Sequence, residues 1–355
     1  MTAWAEWVDG ECRAVDDAGR WRRIPDHAEG LISFASNDYL GLSRHPSVVA
    51  GAHAALDRWG AGAGAARLVA GALPVHSDLE AALAAWKREH AALLFPTGYA
   101  ANLAVLAVFA GAGVRVLSDE RNHASIVDGC RLSGAEICIY RHGDVDHVEY
   151  LLRSAPGRAV VVTDTVFSMD GDVAPVDALA ERCSAHGALL VVDEAHAVLG
   201  PDPDLAGVEH LRVGTLSKYL GSLGGFVAGP QRFVELLVNR ARPFVFTTAS
   251  SPADAGAALA AVHVLQSAEG TRLVAALRAN VDVVEPGHPS PIVPVVVGDE
   301  DAAMAASAAL RERGLLVPAI RPPTVAPGTS RLRISLSATH TTADLTALLE
   351  GLDAP

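Results

Sequence analysis

Two neighbouring stretches decide the fold: Leu189-Leu-Val-Val-Asp193-Glu-Ala-His196 and Leu211-Arg-Val-Gly-Thr-Leu-Ser-Lys218-Tyr-Leu-Gly221. Each is a short apolar run that stops on residues able to do chemistry. Upstream, Val176–His186 has helical spacing and ends at Gly187, a residue suited to the left-handed turn that closes a helix. Helix, strand, loop and strand in this order form the rhythm of a mostly parallel sheet covered by helices on both faces. In such sheets ligands bind beyond the carboxyl ends of the strands.

Working outward, Val114–Leu117 and Ala159–Thr163 read as further strands, followed by His123 and by Ser168. Thr97-Gly98-Tyr99 opens an apolar helix, Ala100–Ala110. Ser77-Asp-Leu-Glu80 reads as a capping box, in which the hydroxyl and the carboxylate each satisfy a free backbone N–H; its helix sets Leu79, Leu83 and Trp86 on one face. Ser251-Pro252 reads as an N-cap with proline at the first helical position, opening a helix to about Gln266. The tail offers a Pro/Gly-rich stretch, Glu285–Pro291, a strand Ile292–Val297, a helix to Gly314, a rigid Arg321-Pro-Pro-Thr loop and a strand Arg331–Ser337. The expected organisation is an N-terminal segment over 1–45, a large α/β domain over 46–250, and a smaller α+β domain over 251–355 that begins with a long linking helix.

The chain has 355 residues, half of them apolar and 19% charged, which is ample for a buried core and unlike a disordered composition. Its formal charge of −13, with scattered basic residues, argues against nucleic acid and anionic membranes as partners. Tyr99–Val116 is interrupted by Asn102, Gly111, Gly113 and Arg115, so a buried helix and strand explain it better than a membrane span. Cys12, Cys130, Cys138 and Cys183 show no zinc-site spacing and are expected to be reduced and mostly buried. Residues 1–11 carry Glu6 and Asp9 and lack the form of a signal peptide; a cytoplasmic address is the expectation.

Only two lysines occur, Lys87 and Lys218. Lys87, beside Arg88 and Glu89, reads as a solvated surface residue. Lys218 lies in a loop with hydroxyls before it and glycines on both sides, where a lysine can lose its proton and form a Schiff base; a plain loop lysine is the competing reading. Asp193 has three readings. As a magnesium ligand of a nucleotidase it would need a G-x-x-x-x-G-K-[ST] loop, which neither lysine has. With His196 as a metal site it lacks a third ligand. As the acid that keeps a heterocyclic nitrogen protonated, it pairs naturally with Lys218. Gly98, at a helix N-terminus, would suit an anion or simply start a helix. Gly60-Ala-Gly-Ala-Gly64 lacks the strand and spacing of a dinucleotide motif and reads as a loop near the site.

Ser36-Asn-Asp-Tyr-Leu-Gly-Leu-Ser43, Phe95-Pro-Thr-Gly-Tyr-Ala-Ala-Asn102, Val166-Phe-Ser-Met-Asp-Gly-Asp172, Val192-Asp-Glu-Ala-His196 and Gly214-Thr-Leu-Ser-Lys218 together resemble the α-oxoamine synthases, which are fold-type I transferases dependent on pyridoxal 5'-phosphate (PLP). The order and spacing agree over almost the whole chain. The resemblance implies Lys218 as the Schiff-base lysine, Asp193 as partner of the pyridine nitrogen, His123 stacked on the ring and His196 near the phenolic oxygen. It implies Gly98, Tyr99, Ser168 and Thr215 around the cofactor, with Thr215 and the Gly98–Tyr99 backbone nearest the phosphate. Thr247 or Thr248 would reach a neighbour's phosphate across a homodimer. Arg333 would hold the amino-acid carboxylate, with Arg331 on the same strand face; Asn37 joins the substrate set, Thr324 would line the acyl site, and Arg22, Arg20 or Arg23 would meet the acyl substrate, with Arg22 preferred. No metal is implied.

The segments Ile320–Gly328 and Arg331–Ala338 resemble most the family branch that joins L-alanine to a pimeloyl group. The implied reaction is a decarboxylative condensation with pimeloyl-CoA or a pimeloyl-acyl carrier protein, Lys218 acting as the base and His123 assisting. A sister activity joining glycine to acetyl-CoA is the nearest rival, and a noncatalytic PLP-binding protein a distant one. This chain departs from the family in a short N-terminal region, a compressed loop Ala197–Asp204, and alanines in Gly62-Ala-Gly-Ala-Ala-Arg67.

Overall fold

Seven strands form the central sheet: β1 (Ala91–Phe95), β2 (Val114–Asp119), β3 (Glu136–Tyr140), β4 (Arg158–Asp164), β5 (Leu189–Asp193), β6 (His210–Thr215) and β7 (Gly225–Gly229). The computed structural model describes residues 2–22, 24 and 30–353. Spatial order is β1-β7-β6-β5-β4-β2-β3, and β7 alone runs against its neighbours. Every residue of β2, β5 and β7 is buried, as expected where helices cover both faces and the strands read as continuous apolar runs.

The four strands read from the sequence are β2, β4, β5 and β6. The other three carry weaker signals: β1 is a short apolar run that periodicity cannot tell from a helix, and β7 has glycine at both ends. Register aligns Asp164 with Asp193, and Asp193 with Val213, so the ends of β4, β5 and β6 lie along one edge. That alignment sets the site.

The helices begin where their caps dictate. Thr97 accepts the Ala100 N–H at 3.0 Å and opens Gly98–Phe109. Ser251 caps Pro252–Leu265, and Val176–His186 ends at Gly187 in the left-handed region. The capping box expected at Ser77 is corrected: the helix starts a turn earlier, at Pro74, with Leu73 as N-cap and the His76 ring accepting the Leu73 N–H. Glu80 is thereby free to take both Arg67 nitrogens at 2.9 Å and the Leu94 N–H at 3.0 Å. Leu79 and Leu83 are fully buried beneath it.

Lys87 is also corrected. Its ammonium lies 2.7 Å from the buried Glu194 carboxylate and 4.1 Å from the centre of the Trp86 ring. Glu194 takes Arg212 as well, at 2.5 Å, and Arg212 and His210 share Glu89. This polar cluster lies next to Asp193 in sequence.

The C-terminal part is a three-stranded antiparallel sheet of β8 (Ile292–Gly298), β9 (Ala319–Ile320) and β10 (Ser330–Ser335), in the order β9-β10-β8. Helices Ala268–Val284, Glu300–Glu312 and Thr342–Leu352 accompany it. Ile32–Ser33 pairs in parallel with Leu315–Leu316, which draws the first motif, residues 36–43, against both sheets. Tyr39 and Leu40 there share one core with Leu216, Leu220, Ile334 and Leu336. The fold is α/β, a mostly parallel sheet wrapped by helices with a smaller α+β part. No described helix is long and apolar enough to cross a membrane, and all four cysteines are free, Cys130 and Cys183 buried and the others half-buried.

Candidate active site

Lys218 follows β6, and its Nζ lies 2.8 Å from Nε2 of His196, which follows β5. Burial lowers the Lys218 pKa from the usual lysine value, against the pull of Asp193 and Asp164. Burial, then the Lys218 and Arg333 charges, holds His196 well below imidazole's usual range, so the ring is neutral. A neutral ring accepting from Lys218 at Nε2 carries its proton on Nδ1. Nδ1–H then donates to the Tyr39 hydroxyl at 2.6 Å, and that hydroxyl donates to Asn37 Oδ1 at 3.0 Å. Burial pushes the Tyr39 pKa up to about 12, so the phenol stays protonated. Asn37 Oδ1 also accepts from Arg333 at 3.2 Å, completing a chain from Lys218 to Arg333.

Asp193 ends β5 and is buried. Its carboxylate accepts from Asn102 Nδ2 at 2.6 Å and from the Ala195 N–H at 2.9 Å. Asn102 also donates to Ser125, whose hydroxyl lies 2.8 Å from Nδ1 of His123. The exposed His123 is the N-cap of Ala124–Ser133, and Asp164 at the end of β4 accepts its backbone N–H at 2.7 Å. Burial, with the nearby Asp193 charge, raises Asp164 well above the usual carboxylate range.

A third group lies at the start of the Gly98–Phe109 helix. A side chain at Gly98 would come 3.2 Å from the Thr215 Cβ, so glycine lets the helix end meet β6. The Thr215 hydroxyl is 2.7 Å from Ser217 Oγ, and Tyr99 reaches Asp128. The first N–H groups of a helix have no intrahelical partner and favour an anion. Thr247 is half-buried and Thr248 exposed, and no hydrogen bond joins either to the site among the described residues.

Arg331 and Arg333 are both buried on β10, yet their partners separate them. Arg331 pairs with Asp170, whereas Arg333 donates to the Ser168 carbonyl at 2.5 Å, to Ser335 at 2.7 Å and to Asn37. Only Arg333 therefore joins the chain that leads to Lys218. Arg331 instead lines a cavity of about 710 Å³, together with Arg20, Arg121, Asp170, Pro323 and Thr324 among others. Arg20 comes within 3.9 Å of Glu300; Arg22 is exposed, and Arg23 lies outside the described residues. Tyr39, Asn102, Ser125 and Asp164 carry no role expected from sequence, although Tyr39 and Asn102 stand inside the motifs at 36–43 and 95–102.

Among the described residues, neither the Lys218 amine nor the Asp193 carboxylate has an oppositely charged partner within 4 Å, although both are largely out of water. An unpaired buried charge is costly, so such a pair calls for a group that meets both. An aldehyde for the amine, a basic ring nitrogen for the carboxylate and a phosphate for the helix end are the parts of PLP, and these residues fit it. The sequence model of the family described as aminotransferase class I and II matches residues 29–352. The chain belongs to that family. It is 50% identical to the 8-amino-7-oxononanoate synthase of Anaeromyxobacter dehalogenans, across 98% of this chain and 95% of the relative. Among solved structures, an SPT with its PLP internal aldimine superposes with a TM-score of 0.90 at 28% identity, covering 99% of this chain and 97% of the other. The Sphingomonas wittichii serine palmitoyltransferase does so with 0.89 at 29%, covering 99% and 96%. Family and neighbours indicate PLP as the cofactor.

Proposed function

We propose that this chain catalyses the 8-amino-7-oxononanoate synthase reaction of biotin biosynthesis, in which L-alanine and pimeloyl-CoA or pimeloyl-acyl carrier protein yield 8-amino-7-oxononanoate, carbon dioxide and the free thiol. The observation that carries it is the convergence of Lys218, Asp193 and Arg333 on one site, in a chain 50% identical to a synthase of that name.

When bound, PLP supplies an electron sink for the bond changes at the alanine α-carbon. Lys218 would hold it covalently and Asp193 by charge, and Gly98, Tyr99, Thr215, Ser168, His123 and His196 would line its site. Lys218, as a desolvated amine, takes the α-proton; the neutral His196 accepts a hydrogen bond from Nζ and keeps the amine aimed. The Arg333 guanidinium, with Asn37, meets the alanine carboxylate. His123 assists the final proton return. The acyl chain enters by the cavity that Thr324 and Arg20 line; Arg20 is the N-terminal arginine favoured there by its position on that wall.

The reading includes a homodimer in which Thr247 or Thr248 serves the neighbour's phosphate. Support comes from apolar side chains left in water nearby: Phe246 is 71% exposed and Tyr99 42%. The division at 46–250 and 251–355 belongs to the same reading, supported by the separation of the seven-stranded sheet from the three-stranded one. So does a cytoplasmic location, which suits four free cysteines.

The test is thiol release by the PLP-loaded protein. L-alanine with pimeloyl-CoA is compared against glycine with acetyl-CoA and L-serine with palmitoyl-CoA. Turnover with the first pair alone supports the reading. Turnover with another pair alone moves the enzyme to a sister activity, and covalently bound cofactor without turnover on any pair leaves a binding protein.

A further inference from the structure

His142, outside the groups described so far, follows β3 and has a carboxylate at each ring nitrogen. Nδ1 lies 3.0 Å from Asp119 at the end of β2, and Nε2 lies 2.5 Å from Asp172. Ionised carboxylates only accept, so both nitrogens carry protons and the ring is an imidazolium. Burial pulls its pKa down, but the two carboxylates outweigh that and hold it above imidazole's usual range. The anchor at the strand end is rigid: Asp119 also accepts the backbone N–H of Arg121 and Gly143, and Glu120 accepts that of His142.

Asp172 closes a tight turn. Phe167 and Asp172 bond through their backbones at 3.0 Å, Val166 pairs with Val173, and Gly171 has φ of 71° with the Ile292 carbonyl against it, where no side chain fits. Phe167 lies edge-on to the His142 ring, with centroids 4.4 Å apart. The opposite side of the turn faces β10: the Ser168 carbonyl accepts from Arg333, and Asp170 pairs with Arg331 and lies 3.5 Å from Arg121. The other charged groups beside His142 are self-contained, with Arg141 paired to Asp144 and His147 capping the Arg141 N–H. Tyr140 stays protonated, because burial raises it.

We propose that His142 is a positioning residue for the amino-acid carboxylate: bridging Asp119 and Asp172, it fixes the turn whose Ser168 carbonyl orients the Arg333 guanidinium. The inference rests on the reading that Arg333 receives that carboxylate. A neutral ring would keep one bridge and lose the other.

The experiment uses the PLP-loaded enzyme with saturating pimeloyl-CoA and varied L-alanine, comparing wild type, His142→Gln and Arg333→Lys. A displaced carboxylate clamp is expected to raise KM for alanine about tenfold in H142Q, with kcat, KM for the thioester and the visible absorbance of bound cofactor little changed. The ratio of the H142Q and wild-type KM values is expected to fall toward unity as pH rises and the wild-type ring loses its proton; alanine's own titration cancels in that ratio. An unchanged alanine KM in H142Q while R333K raises it overturns the proposal. An unchanged KM in R333K overturns the reading of Arg333 instead. Should H142Q not fold, Asp172→Asn opens the same bridge from its more exposed end and is held to the same outcome.

Discussion

Replacing Tyr39 by phenylalanine removes one oxygen from a fully buried position and tests the chain between Lys218 and Arg333. That oxygen is 2.6 Å from Nδ1 of His196 and 3.0 Å from Asn37. Asn37 keeps its contact with Arg333, so the loss falls on His196, which is 3% exposed and whose Nδ1–H has no other acceptor among the described residues. A buried donor left unsatisfied costs about 1–3 kcal/mol. The ring can escape only by moving its proton to Nε2, where it faces the Lys218 amine and no longer accepts from it. Either response weakens the hold on Lys218, and a loss of about 1.4–2.8 kcal/mol at the transition state lowers kcat roughly ten- to hundredfold. The assay pairs thiol release at saturating substrates with the apparent Tm of the same preparation. Unchanged kcat together with unchanged Tm refutes the chain, because it shows that His196 does not depend on the Tyr39 hydroxyl.

Other substitutions probe separate parts. Lys218→Ala abolishes both turnover and the visible absorbance of covalently bound cofactor; retained absorbance contradicts the assignment. Asp193→Ala leaves Asn102 and Ala195 without their acceptor and weakens PLP binding by roughly a hundredfold or more, measured by equilibrium dialysis, since breaking a buried charge pair costs about 3–5 kcal/mol. Lys87→Met costs less than that in a denaturant titration, because Arg212 at 2.5 Å still compensates Glu194; no measurable loss at all argues that the cluster is neutral to stability. His142 has a raised folded pKa, so its stabilisation is complete below the unfolded value of about 6.5 and is lost as pH climbs through the folded one. The Tm deficit of H142Q therefore shrinks in alkaline buffer, and a deficit that grows with pH contradicts the charged bridge.

Much of the fold was legible because its strands are apolar runs closed by chemical residues. Leu189–Asp193 and His210–Thr215 announce themselves in this way, and Thr97, Ser251 and Gly187 mark helix ends through side chains or a backbone conformation that act locally. The Ser77 capping box misled because Pro74, with its preset φ, starts the helix a turn earlier, and Glu80 serves Arg67 instead. Lys87 misled because its partner, Glu194, is brought to it only when the sheet forms.

The sequence by itself determined the order of the strands' chemical ends, the scarcity of lysine that singles out Lys218, and the motifs that mark the family. These depend on residue type and short spacing, which folding does not alter. Tertiary structure decided the rest. Arg331 and Arg333 are equivalent on a strand read alone, and only the Ser168–Asp170 turn and Asn37 distinguish them. Tyr39 reaches His196 across 157 positions, and His142 joins Asp119 to Asp172 from a third segment. Hydrogen bonds between residues so distant in the chain have no local periodicity to betray them. They exist because the strand register and the packing of residues 36–43 against both sheets bring their atoms together.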